Sequence, residues 1–193
     1  MINLRSISGR GDFKVDDPIT EDIDFTASSS EDITIDIGKE IREVLRGRLY
    51  IDADPGADFS QWAILTFYNK SSKLGEDAFY RTEVKLVYTE LDTATTGSDA
   101  NIIPDTHDNF SPNNLVYFID GGSSEFERLL TVASTMVAED NPDAHAIDVG
   151  LVRVAEFAGF PLFNMESGTN IYVRVKFSAA QTVSIKMELV LSR

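Results

Sequence analysis

Two consecutive segments late in the chain alternate apolar and polar residues without a break. Ile171, Val173, Val175 and Phe177 share one side of the first, opposite Tyr172, Arg174 and Lys176; after Ser178 to Gln181, Val183, Ile185, Met187, Leu189 and Leu191 share one side of the second. In an extended strand successive side chains point to opposite faces, so a period of two gives each segment one face built for burial. Back to back with a short polar join, the segments predict an antiparallel hairpin, and a hairpin with one apolar face predicts a β-sandwich.

The rest of the composition bounds what such a sandwich can do. A chain of 193 residues, 42% of them hydrophobic, suits one domain with enough interior to fold without staples. Seventeen basic residues against 32 acidic ones give a formal charge of −15, which repels polyanions, so nucleic acid is not an expected partner. Cysteine is absent, which excludes disulfides, thiolate nucleophiles and Cys-based zinc sites. The stretch Met1 to Gly11 has no apolar core of a signal peptide, and no apolar run approaches the ~18 to 20 residues that span a bilayer, so neither signal-directed export nor a membrane partner is expected.

Residues 1–21 are polar, lack sustained periodicity and contain Gly9, Gly11 and Pro18; they read as an N-terminal arm preceding a domain over 22–193. Free chain ends stay poorly ordered unless something holds them, so such an arm is expected to pack on a neighbour, with docking on its own domain as the alternative. Alternation begins with Ile23 and Phe25, resumes with Ile33, Ile35 and Ile37, and supports further strands at Trp62 to Tyr68, Phe79 to Leu91, Leu115 to Ile119 and Ile147 to Phe157. Gly38 to Gly47 fits a short helical turn, with a strand from about Arg48. The turn-rich stretch Asp92 to Asn114, with Gly97, Pro104 and Pro112, exceeds ordinary loop length and predicts a functional or interface loop. Phe126, Leu129, Leu130, Ala133, Met136 and Val137 recur at helical spacing behind the capping-box pair Ser124 and Glu127, which predicts one inserted amphipathic helix. Eight or nine strands with that helix and long connections fit an all-β antiparallel jelly roll best; an immunoglobulin-like sandwich is the alternative.

Few residues announce chemistry. Asp52, Asp54 and Asp58 around Gly56 place carboxylates at alternate positions of a turn, an arrangement that could hold Ca²⁺ through oxygen ligands. Against it, Pro55 interrupts the loop, and the twelfth position counted from Asp52 is Ala63 rather than a glutamate, so a solvated acidic turn serves equally. His107 sits within Asp105 to Asp108 and His145 beside Asp143, but neighbouring residues seldom face one another, and the Gly121 to Ser124 run suits a helix start better than a nucleophile elbow. Glu83, Glu90, Glu156 and Glu188 fall on outward strand positions, where a glycosidase pair would not be distinguishable from ordinary surface charge. Arg10-Gly11-Asp12 spells the integrin tripeptide, a match short enough to arise by chance. Trp62, Phe67, Tyr68, Phe79, Tyr80 and Tyr88 crowd two neighbouring strands and would stack sugar rings if turned outward, or fill the core if turned inward.

The ordered combination of polar arm (Met1 to Glu21), acidic Cys-free sandwich, long loop Asp92 to Asn114 and closing pair Asn170 to Arg193 resembles virion structural proteins of tailed bacteriophages. The resemblance implies a non-enzymatic building block of the virion: a capsid decoration (cement) protein, or a tail, baseplate or fibre component. It also implies self-association as a homo-oligomer such as a trimer, contacts with other virion proteins such as the major capsid protein, and an interface through arm residues such as Arg5, Arg10 and Phe13. The alternative is a carbohydrate-binding sandwich, glycan-specific and Ca²⁺-dependent through Asp52, Asp54 and Asp58, as in a receptor-binding fibre component.

Overall fold

The computed structural model describes residues 18–28, 30–39, 41, 43–53, 62–70, 77–161, 170–177 and 182–192. Arg5, Arg10 and Phe13 of the arm, and Asp54 and Asp58 of the acidic turn, lie outside the described residues. Twelve strands run through those residues: β1 (Ile19–Ser28), β2 (Glu31–Asp36), β3 (Glu43–Ile51), β4 (Trp62–Lys70), β5 (Asp77–Thr93), β6 (Asn101–Pro104), β7 (Leu115–Ile119), β8 (Phe126–Thr131), β9 (Met136–Ala138), β10 (Gly150–Pro161), β11 (Asn170–Phe177) and β12 (Thr182–Ser192). The fold is all-β, and every pairing is antiparallel.

Two long strands organise it by each serving two neighbourhoods. In β10, Gly150 to Arg153 pair with β5 on one side and β7 on the other, whereas Ala155 to Pro161 pair with β3. In β5, Asp77 to Val87 pair with β4, Val87 to Glu90 with β10, and Leu91 and Thr93 with β6. One end of the molecule is therefore two four-stranded layers, β1-β12-β3-β10 and β2-β11-β4-β5. At the other end β5, β6, β9, β8, β7 and β10 close on themselves as a six-stranded barrel, which leaves no open edge there.

Burial follows the same division. Val183, Ile185, Met187, Leu189 and Leu191 of β12 and Val44, Leu49 and Ile51 of β3 meet Leu65, Phe67, Leu86, Val173 and Val175 from the opposite layer in one core. Each such side chain, fully removed from water, contributes about 1.5 to 3 kcal/mol. A second core, with Leu91, Ile102, Val116, Phe118, Leu129, Met136 and Leu151, fills the barrel.

The predicted closing hairpin is not formed. β11 pairs with β2 and β4, β12 with β1 and β3, and the two lie in opposite layers with their apolar faces toward the shared core. A period of two identifies the buried face of each strand but not its hydrogen-bonded neighbour, so an arch across the core and a hairpin within a sheet look alike in sequence. β1 and β2 are divided between the layers in the same way.

The inserted helix is also absent: the described residues contain no α-helix, and the segment expected to form one makes β8 and β9, which complete the barrel. Leu129 is fully buried while the adjacent Leu130 is 51% exposed, the alternation of a strand rather than the stripe of a helix. Tertiary pairing overrides the helical spacing here. Ser124 does not cap a helix; its hydroxyl accepts from the Asp120 amide (3.0 Å) and closes the short 3₁₀ turn Gly121–Ser123. The helical turn expected after Gly38 gives way to β3, which begins at Glu43. The long loop expected over Asp92 to Asn114 contributes β6 to barrel closure.

Candidate functional site

Of the residues expected to bind calcium, only Asp52 is described. It follows β3, its amide donates to the Ser184 carbonyl (3.3 Å), and its Oδ1 is buried with no hydrogen-bond partner among the described residues. Among the described residues no group of three or more His, Asp or Glu side chains converges as a metal site. His107 is exposed, and its carbonyl rather than its ring is engaged, accepting from the Phe110 amide (3.3 Å). Phe67, Tyr68 and Tyr88 are turned into the protein, at 1%, 5% and 2% exposure, so these three pack rather than present a platform. The side chains of Trp62, Phe79 and Tyr80 lie outside the described residues.

His145, unremarkable in sequence, is a buried polar side chain held at both ring nitrogens. It is fully buried, stacked on Phe118 at 4.3 Å, with Nδ1 2.8 Å from Asp120 Oδ2 and Nε2 2.9 Å from Glu125 Oε1. An imidazolium donates to both carboxylates, whereas a neutral ring donates to only one. Its backbone is held as firmly: His145 N donates to Thr95 Oγ1 (2.8 Å), Thr95 N donates to the His145 carbonyl (3.0 Å), and Thr95 Oγ1 donates to the Asp143 carbonyl (2.5 Å). The arrangement ties three connections at the barrel mouth together. The ring has no exposed surface, and its contacts clamp the three connections to one another. Its partners are 25 and 20 residues away in sequence, a separation that carries no local signal.

Beside it, Glu127 is buried, and its carboxyl is pushed above the usual range by that burial and by the nearby Glu125 charge; the Asp140 amide, donating to it, only partly offsets this.

On the outer face of the β3 layer, Arg48 lies between Glu188 and Glu156 in cross-strand register and bonds Glu188 through Nε. Tyr50 Oη also donates to Glu188 (2.9 Å). Burial alone would raise the Glu188 pKa, but the hydrogen bonds from Arg48 and Tyr50 outweigh it and hold the carboxyl below the ordinary value. Burial and the Glu188 charge together push the Tyr50 phenol well above its ordinary value. Arg48 also covers the Phe126 ring (4.6 Å to its centre), and Tyr50, Tyr117 and Phe126 contact one another at 4.7 to 5.2 Å. A shallow cleft of about 300 Å³ beside them is lined by Thr20, Arg46, Arg48, Glu156, Glu188 and Val190.

A third feature is the long side of the sandwich. Among the described residues β1 and β2 end the strand order, so each has an edge without a strand neighbour. Ile19, Ile23 and Phe25 of β1, with Ile33 of β2 and the following Ile37, touch the core yet stay only partly buried. The alternation of Ile23 and Phe25 was legible in sequence; that β1 and β2 would be the two outermost strands was not.

The chain matches no protein-family model, no curated protein and no solved structure.

Proposed function

We propose that this protein is a non-enzymatic structural component of a virion, of capsid decoration type, acting through protein–protein contacts on a jelly-roll-like sandwich. In this reading the two facing four-stranded layers are the jelly-roll body and the six-stranded barrel is an addition to it. The observation that carries the reading is the half-covered apolar row of Ile19, Ile23, Phe25, Ile33 and Ile37 along the β1 and β2 edges. An open edge with apolar side chains is a liability for a solitary sandwich and an asset for one that assembles. The polar constellations support the same reading, because their members engage one another: His145 with Asp120 and Glu125, and Arg48 with Glu188. Sedimentation of the purified protein with electron imaging of what it forms tests the proposal. A defined oligomer that decorates or builds a particle is expected; a monomer at every concentration that joins no assembly overturns it.

A second reading, glycan binding, is favoured by partly exposed Tyr117 and Phe126 beside the Arg48 and Glu188 cleft, since aromatic faces next to charged hydrogen-bonding groups suit sugar rings. Glycan-array binding abolished by Tyr117→Ala would move the assignment there. Loss of that binding on chelation would bring Asp52, Asp54 and Asp58 back as calcium ligands.

A further inference from the structure

The connections tied together by His145 occupy one mouth of the barrel. The other mouth lies where β10 leaves the barrel for the β3 layer and β5 passes into the opposite layer. Arg153 stands there in register with Val87 on one side and Val116 on the other, both members of the barrel core. Lys85 is two positions from Val87, so the period of two keeps it on the same side of β5, and Asn114 immediately precedes β7. Arg153, Lys85, Asn113 and Asn114 line a cleft of about 310 Å³, with Glu83 and Glu156 exposed at its edge.

The hydrogen bonds of this mouth are one-sided. Arg153 Nη1 donates to the Asn109 carbonyl (2.8 Å) and Nη2 to the Lys85 carbonyl (2.6 Å), while Lys85 Nζ donates to Asn109 Oδ1 (2.7 Å). The Asn113 carbonyl accepts from Arg128 Nη1 (2.7 Å), the Asn114 carbonyl from the Leu129 amide (2.9 Å), and Asn114 Oδ1 from the Ser111 amide (2.8 Å). These oxygens are all engaged. The Asn114 side-chain NH₂ and three of the five guanidinium N–H groups of Arg153, in contrast, are given to none of the described residues. Nor does any carboxylate among the described residues bond Arg153; burial alone draws its guanidinium below the ordinary value. A half-buried cation surrounded by spare donors is matched by an anion.

We infer that this mouth binds a compact ligand through one carboxylate group, taken by the Arg153 fork with Lys85 and the Asn114 amide as further donors. A guanidinium and a carboxylate fit through two parallel N–H bonds, and the cleft falls at the small end of ligand pockets, which run from about 300 Å³ upward. Glu83 and Glu156 at the edge repel a second negative charge, which selects a singly charged acid over a phosphate or sulfate; Arg128, 3.4 Å from Glu156, offsets only one of them. The site is separate from the β1 and β2 edges and goes beyond the assembly reading. It also gives a role to the later part of the stretch Asp92 to Asn114, whose length in sequence predicts function.

The test titrates the full chain with glucuronate, acetate, glucose and sulfate while NMR follows the amides of Lys85, Asn114 and Arg153. Both acids are expected to shift them, glucose to leave them unmoved, and sulfate to bind at least about tenfold more weakly than glucuronate. Tighter binding of glucuronate than of acetate supports the site with an acidic sugar as the source of the carboxylate; equal binding supports it with a simple organic acid. Arg153→Gln should weaken binding about tenfold or more. Because Arg153 also holds two carbonyls, circular dichroism checks the fold of that variant. Lys85→Gln, which keeps a donor for Asn109, should weaken binding at least about threefold and serves if Arg153→Gln does not fold. Silence toward both acids at tens of millimolar, equal binding of glucose or sulfate, or wild-type affinity in a folded variant overturns the inference and leaves the assembly reading untouched.

Discussion

Gly47 sits mid-strand in β3, directly opposite Phe157 on one side and Leu189 on the other. A Cβ there would lie 2.7 Å from Leu189 Cδ2 and closer still to the Phe157 ring, which itself packs on Phe67 at 5.4 Å. Gly47→Ala is therefore expected to lower stability by about 1 to 3 kcal/mol through overpacking, measured by urea denaturation. The clamp at His145 predicts a larger loss. His145→Ala removes the stacked ring and leaves Asp120 and Glu125 without the group between them, so a loss of roughly 2 to 4 kcal/mol is expected by the same measurement. The two raised or lowered carboxyls act with opposite sign. Glu188 is held below the ordinary glutamate value in the folded state, so its stabilisation is present above that ordinary value and is lost as pH falls through the depressed one. Glu127 is held above it, so its charge costs stability near neutrality, and acidification through the raised value relieves that cost. Glu127→Gln keeps an acceptor for the Asp140 amide and should raise stability at pH 7 by about 0.5 to 1 kcal/mol, the gain vanishing below about pH 4. A gain that persists at low pH would contradict the assignment.

At the level of elements, strand content was readable and strand partnership was not. Val183 to Leu191 declared a buried face by alternation, and that face is fully buried; nothing in the pattern distinguished a hairpin from an arch, because both bury the same side chains. The segment from Phe126 to Val137 misled for a different reason. Its apolar residues fit two periods at once, and the deciding fact, the place waiting between β7 and β6 in a closing barrel, exists only in three dimensions. The strand assignment has a direct mutational signature. Leu129→Ala should cost about 2 to 5 kcal/mol and Leu130→Ala no more than about 0.5, since one side chain is buried and the other half exposed; a helix would have buried both. The candidate sites followed the same rule. The pairing of Arg48 with Glu188 and the enclosure of His145 depend on residues 140 and 20 to 25 positions apart, beyond the reach of any local motif.

For the whole molecule, the strand order places distant parts of the chain side by side: β1 pairs with β12, β2 with β11 and β3 with β10. Such non-local pairing requires most of the chain before either layer is complete, which leaves the edge strands as the outermost and least enclosed elements. The surplus of acidic residues sets copies of the chain to repel one another at long range, so the association proposed for the β1 and β2 edges would have to be selective rather than general. Hydrogen exchange, followed by mass spectrometry across a concentration series, measures this edge directly. The account predicts that association slows amide exchange in Ile19–Ser28 while the central strands Glu43–Ile51 and Thr182–Ser192 stay unchanged; exchange in β1 that is indifferent to concentration, or new protection confined to the barrel strands, would contradict it.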